Sequence, residues 1–158
     1  MQRNHQYWMQ QAIQLARKAA AEDEVPVGAI IVKDSKIISE GWNQSIQNHD
    51  PSAHAEIMAI RNAGKELKNY RLIDTTMYVT LEPCSMCVGA MIHARVGRLV
   101  FGACDSKTGA TGSAINLIHN EIHNHKIEVI AGVMEDECKK LLQLFFKQKR
   151  QAKKNKIV

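Results

Sequence analysis

The sequence predicts an α/β fold, a three-layer α/β/α arrangement in which a mixed five-stranded sheet carries helices on both faces. Three observations predict it. Short β-branched runs alternate with segments of helical periodicity along the chain. The first two strand-like runs are separated only by Asp34-Ser35, which makes them a hairpin. The later strands are joined by long connections, which require parallel pairing.

Met9, Ala12, Ile13, Ala16, Ala19 and Ala20 recur at helical spacing, so residues about 6–21 read as an amphipathic helix. Val27 to Val32 reads as a strand and Lys36 to Trp42 as its hairpin partner. Asp50-Pro51-Ser52 breaks the chain before a helix over 53–63, with Gly64 as its stop. Met77 to Leu81 is a short apolar strand. Pro83 fits the start of a helix from about Cys84 to Ala94. Arg98 to Phe101 is a strand, and Gly102 to Ser113, rich in Gly, Thr, Ser and Ala, is a flexible loop. Ile127 to Ile130 is the last strand, followed by a basic helix over about 136–154. No repeat or long linker divides the chain, so residues 1–158 are expected to form one domain.

The bulk properties narrow the class. A length of 158 residues with 45% hydrophobic residues can bury a substantial core. The net charge of +5 is compatible with a polyanionic partner. Four cysteines, of which only Cys84 and Cys87 are close in sequence, do not form the pattern of a secreted disulfide scaffold. No signal-peptide core and no membrane-spanning apolar run is present, so a reducing cytoplasm is expected, where thiols stay free to ligate metal.

Two short motifs carry the chemistry. His54-Ala55-Glu56 is an H-x-E element and Pro83-Cys84-Ser85-Met86-Cys87 a P-C-x-x-C element, each at the predicted start of a helix. Either alone is common by chance; together they place an imidazole and two thiols on adjacent rigid elements. These donors suit zinc better than magnesium or calcium. Cys84 and Cys87 lie on one side of a helix turn, whose positive end favours thiolates. Three protein ligands leave a fourth position open, and zinc there lowers the pKa of a coordinated water to about 7. Glu56 is displaced around the helix from His54 and is better placed to move protons than to ligate. The competing readings are a closed structural site, with Cys104, Cys138, His93, His119, His123 or His125 as fourth ligand, and a redox C-x-x-C. The first lacks the second half-motif of common structural sites; the second explains neither His54 nor Glu56.

The combined H-x-E…P-C-x-x-C signature resembles that of the zinc-dependent nucleoside and nucleobase deaminases, the cytidine/deoxycytidylate deaminase superfamily. From about Trp8 to Arg150 the chain is most similar to the bacterial tRNA-specific adenosine deaminases, through Glu24–Ala29, Gly41-Trp42-Asn43, His49–Ile57, Thr80–Cys87, Gly89–His93 and Gly102–Gly109. The resemblance implies a cytidine-deaminase-like fold and hydrolysis of the wobble adenosine of a tRNA anticodon stem-loop to inosine, with release of ammonia. It implies one Zn²⁺ per subunit held by His54, Cys84 and Cys87, with Glu56 catalytic, and a homodimer. It further implies that Asn43 hydrogen-bonds the base or ribose, that Pro26, Val27, Ala55 and Leu81 line the base pocket, and that Asp105 and Lys107 meet neighbouring nucleotides. Cys104 departs from the charged or larger residue of some relatives.

In the C-terminal helix, Cys138, Leu141, Leu142 and Phe145 form a core stripe at i, i+3, i+4 and i+7. From Lys139 onward there are eight basic residues and no acidic one. A solvated face explains such a run, and so does a phosphate-binding face on which Phe146 stacks against an unpaired base; the resemblance favours the second. Trp42 is expected to pack, His93 to lie in the core or an interface, Cys104 and Cys138 to be free thiols, and His119, His123 and His125 to lie in a loop. Two other functions are open: deamination of a free nucleoside, nucleotide or nucleobase (cytidine, deoxycytidylate or guanine) by the same chemistry, and a non-catalytic zinc-stabilised RNA-binding module, which leaves Glu56 without a use.

Overall fold

The structure, a computed structural model, describes residues 3–156. Asn4 caps the first helix, α1 (His5–Ala21), by accepting from the Tyr7 N–H at 2.9 Å. A hairpin follows, β1 (Gly28–Lys33) and β2 (Lys36–Trp42), with Asp34 and Ser35 both at positive φ in its two-residue turn. Then come α2 (Ala55–Leu67), β3 (Thr76–Leu81), α3 (Ser85–Ala94), β4 (Arg98–Ala103), β5 (Glu128–Ile130) and α4 (Glu135–Asn155). The sheet order is β2-β1-β3-β4-β5.

β3–β4 and β4–β5 pair in parallel, as the long connections require. β3, however, joins β1 antiparallel. Both neighbours of β1 therefore run opposite to it and in the same direction as each other, so the chain from β2 to β3 must cross over, and α2 is that crossover.

Strand alternation divides the core into two layers. Ile30, Val32, Tyr78 and Val100 face α1 and α4, where they meet Trp8, Met9, Ile13 and Cys138. Ala29, Ile31, Met77, Val79, Leu99 and Phe101 face the opposite side, where they meet Ala59, Ala63, Val88 and Met91 of α2 and α3. Each fully buried side chain of the size of Ile30 or Leu99 contributes about 1.5–3 kcal/mol of transfer free energy.

Several boundaries differ from the sequence-based expectation. Gly64 does not stop α2. The helix runs on to Leu67 and ends where Lys68 turns left-handed (φ 53°), its N–H donating to the Gly64 carbonyl. β4 absorbs Gly102 and Ala103, so the loop begins at Cys104. Of the α4 stripe, Cys138 is buried while Leu141, Leu142 and Phe145 are half-buried, because only the start of the helix lies over the sheet. His93 is exposed on this chain rather than in its core. Trp42 is half-buried, donating from Nε1 to Glu22 at 3.0 Å beneath the Lys18 ammonium.

One contact sets the position of α2. A Cβ on Gly41 would lie 2.5 Å from the Ala59 nitrogen and still closer to the Ala55 carbonyl, so only glycine lets the helix backbone rest on β2. Ser39 adds a hydrogen bond to the Ala59 carbonyl at 2.8 Å.

Candidate active site

The start of β1 and the ends of β2, β3 and β4 lie at one edge of the sheet, as the pairings Gly28↔Trp42 and Leu81↔Ala103 show. Residues just beyond those ends (Val27, Asn43, Glu82 and Asp105) line one cleft of about 190 Å³. α2 and α3 also begin there, and open α/β sheets place ligand sites at such edges.

His54 and Cys84 are the N-caps of α2 and α3. Both have extended backbones, and neither side chain caps its own helix, the usual task of Ser, Thr or Asp there. Instead they point at each other. His54 Nδ1 lies 3.7 Å from Cys84 Sγ and 3.6 Å from Cys87 Sγ. Among the described residues these three form the group of His, Cys, Asp and Glu side chains close enough to share an ion. A tetrahedral zinc with bonds of about 2.0–2.1 Å to nitrogen and 2.3 Å to sulfur needs N···S edges of about 3.6 Å, so the residues fit the ion. His119, His123 and His125 lie in a loop away from this group.

The protein groups alone favour one thiolate. A hydrogen bond from Cys87, with another from His54, draws Cys84 down to about 4 against the opposing effect of burial. Cys87 is pushed up, as donor to Cys84 and by burial beside Glu56. His54 is raised by its contact with Cys84. A divalent cation relieves this conflict, because both thiolates then face positive charge.

Glu56 stands in the first turn of α2, is 4% exposed, and lines the cleft with His54 and Cys84. Burial holds its carboxyl above the ordinary range. Asn43, Val27, Leu81 and Asp105 also reach the cleft wall. Pro26 and Ala55 do not. Pro26 is buried between Val25 and Val27, and the Ala55 methyl enters the core while its helical neighbours His54 and Glu56 face the cleft. Lys107 and Phe146 line an adjoining hollow with Cys104 and Leu142, and the two spaces share Val25, Leu81, Asp105 and Thr108. Phe146 is 44% exposed there.

Two further buried carboxylates fall within the blocks Glu24–Ala29 and Thr80–Cys87, but neither block reveals what they do. Glu24, 1% exposed, accepts from the Ile46 N–H at 3.1 Å and the Gln47 N–H at 2.9 Å in the loop between β2 and α2. Glu82, 2% exposed, accepts from the Asp105, Thr111 and Ser113 N–H groups and from the Thr111 and Ser113 hydroxyls. Burial raises Glu82, but these bonds outweigh it and hold the carboxyl below its ordinary range. The 104–113 loop is therefore tied down rather than loose. Asp105 is itself engaged in its own turn, accepting from Lys107 N–H, Thr108 N–H and the Thr108 hydroxyl.

Residues 2–103 match the cytidine and deoxycytidylate deaminase zinc-binding region. With the fold and the triad, this match defines the class as a zinc-dependent deaminase. The chain is 53% identical to the tRNA-specific adenosine deaminase of Haemophilus influenzae, over 92% of this chain and 85% of that protein. It is 44% identical to the tRNA-specific adenosine deaminase of Bacillus subtilis, over 93% and 91%. A solved structure from work on A-to-I editing by tRNA:A34 deaminases superposes with a TM-score of 0.84 at 40% identity, covering 86% of this chain and 99% of that one. A guanine deaminase from Bacillus subtilis superposes with a TM-score of 0.63 at 41% identity, over 71% and 69%. The chain belongs to the zinc-binding cytidine and deoxycytidylate deaminase family, in its branch of tRNA-specific adenosine deaminases.

Proposed function

We propose that this protein hydrolyses adenosine to inosine at the wobble position of a tRNA anticodon stem-loop, releasing ammonia. The observation that carries the chemistry is the three-ligand triangle, with Glu56 sharing a cleft with His54 and Cys84; the tRNA substrate is supported by the similarity to tRNA-specific adenosine deaminases. His54, Cys84 and Cys87 hold one zinc ion per subunit. When bound, the metal supplies the Lewis acidity that makes water nucleophilic at neutral pH. Glu56 takes a proton from the attacking water, passes it to the ring nitrogen and then delivers a proton to the departing amine. Burial raises the Glu56 carboxyl above its ordinary range, which strengthens it as the base that takes the proton from water. Asn43 positions the base or ribose, and Val27 and Leu81 form the apolar wall. Pro26 and Ala55 support that wall from behind. Asp105, Lys107 and Phe146 meet flanking nucleotides.

RNA as substrate fits the charge of the chain and the acid-free C-terminal stretch of α4. An anticodon loop presents a base that leaves its stack at low cost. We further propose a homodimer acting in the cytoplasm. Among the described residues no helix is long and apolar enough to cross a membrane.

The similarity to a guanine deaminase keeps a small-substrate reading in play. Purified zinc-loaded protein is incubated with tRNA and, separately, with free adenosine, cytidine, deoxycytidylate and guanine. Inosine at the wobble position with little turnover of the small substrates is the expected result. Comparable or greater kcat/KM on any free substrate overturns the tRNA assignment.

A further inference from the structure

Glu82 is two residues from a proposed metal ligand, yet its carboxylate turns away from the metal triad into the 104–113 loop. Oε1 accepts from the Asp105 N–H at 3.0 Å and from the Ser113 hydroxyl. Oε2 accepts from the Thr111 N–H and hydroxyl, both at 3.0 Å, and from the Ser113 N–H at 3.2 Å. Both ends of the loop thus converge on one anion. The loop backbone closes over it: a Cβ on Gly109 would fall 2.5 Å from Glu82 Oε2 and 2.5 Å from the Asp105 carbonyl. Between these ties lie Asp105 and Thr108, which line the cleft, and Lys107, which lines the hollow beside it.

We infer that Glu82 is a positioning residue for the substrate: it fixes the 104–113 loop against the strand that leads into Cys84, so that the loop's cleft-lining residues stand in register with the metal triad. Its carboxylate touches no reacting atom. In this small and hydroxyl-rich segment Ala110 alone is anchored in the apolar core, its N–H donating to the Pro83 carbonyl at 2.9 Å, and the buried charge ties down the residues on either side of it. Three backbone N–H groups and two hydroxyls give the anion a full set of donors, which makes its burial tolerable.

The inference rests on the tRNA reading for its activity readout, and hydrogen exchange tests it independently of any substrate. Glu82→Gln keeps the shape but turns one oxygen into an NH₂ group. In either amide orientation that group faces at least one backbone N–H. We expect amides in 105–113 to exchange at least tenfold faster, those of β3, β4 and α2 to keep their protection, and zinc to remain at one per chain. On tRNA, kcat/KM falls about tenfold to a hundredfold, mainly through KM, since misplacement by about 1 Å is enough for a loss of that order. Gly109→Ala, which presses on the same knot from outside, shifts exchange and KM the same way. Thr111→Ser keeps the hydroxyl and behaves as the parent. Unchanged loop exchange in Glu82→Gln overturns the inference. So does faster exchange throughout the chain with zinc loss, and so does a fall in kcat at constant KM. Failure of the parent itself to deaminate tRNA counts against the proposed function and leaves the exchange result to decide Glu82's role.

Discussion

Replacement of Glu56 by Gln separates proton transfer from everything else the cleft does. The substitution is nearly isosteric, and the side chain is 4% exposed, so the packing around it is preserved. Burial holds the carboxyl above its usual range, so the fold carries a cost for keeping charge there; an amide removes that cost. Stability should therefore be equal to the parent's or slightly higher. His54, Cys84 and Cys87 remain, so zinc content should stay at one per chain. Turnover is where the loss appears. A positioned acid–base group contributes about 10²–10⁴-fold, which at about 1.4 kcal/mol per decade raises the barrier by roughly 3–5 kcal/mol. Here one carboxylate serves both the attack and the departure of ammonia, which places the loss toward the upper end. The assay is single-turnover inosine formation on tRNA, with metal analysis and thermal melting on the same preparation. Activity within about tenfold of the parent, with zinc retained, would refute proton transfer by Glu56. Loss of zinc in the variant would instead show that Glu56 holds the metal.

Three further outcomes follow from other parts of the molecule. Gly41→Ala forces a methyl onto the α2 backbone and should destabilise the protein by about 1–3 kcal/mol, with reduced zinc affinity because His54 moves with the helix; an unchanged melting temperature contradicts the backbone contact. Lys147→Glu with Arg150→Glu should weaken tRNA binding and flatten its salt dependence by about 0.7 in log–log slope for each phosphate that the helix no longer neutralises; equal affinity at low and high salt removes α4 from the interface. Cys138, pushed up to about 12 by burial and by Glu137, stays a thiol while the unfolded chain ionises from about pH 9. Its contribution is thus full below pH 9 and declines as pH rises toward 12, by about 1.4 kcal/mol per unit. The stability difference between parent and Cys138→Ala should show that slope, and a flat difference overturns it.

The sheet was legible because apolar β-branched runs such as Val27–Val32 and Met77–Leu81 have few other uses. The end of α2 was not, because Gly64 is only a permissive residue. The helix stops where Lys68 turns left-handed, a choice made by the contacts beyond it. The metal triad was legible for a different reason. Its chemistry is written in two contiguous motifs, and the N-cap geometry of His54 and Cys84 follows from the turns preceding their helices. The walls of the cleft were harder. His54, Ala55 and Glu56 are consecutive, yet the rotation of a helix sends the middle one into the core. The role of Glu82 was invisible because its partners lie 23 to 31 residues away, in a segment whose composition reads as loose chain.

The two buried carboxylates give the molecule a division of labour with a practical side. The metal triad rides on helices locked into the core, whereas the segments around Ile46–Gln47 and Asp105–Ser113 are each moored to one glutamate, Glu24 or Glu82. A mooring made largely of backbone N–H groups is indifferent to most side chains along the rope. Exposed residues between the ties, Ser106 and Lys107 among them, can be exchanged while the chemistry stays in place, so substrate preference and reaction type can drift separately. The same partition marks out where a laboratory library should be randomised and where it should be left alone.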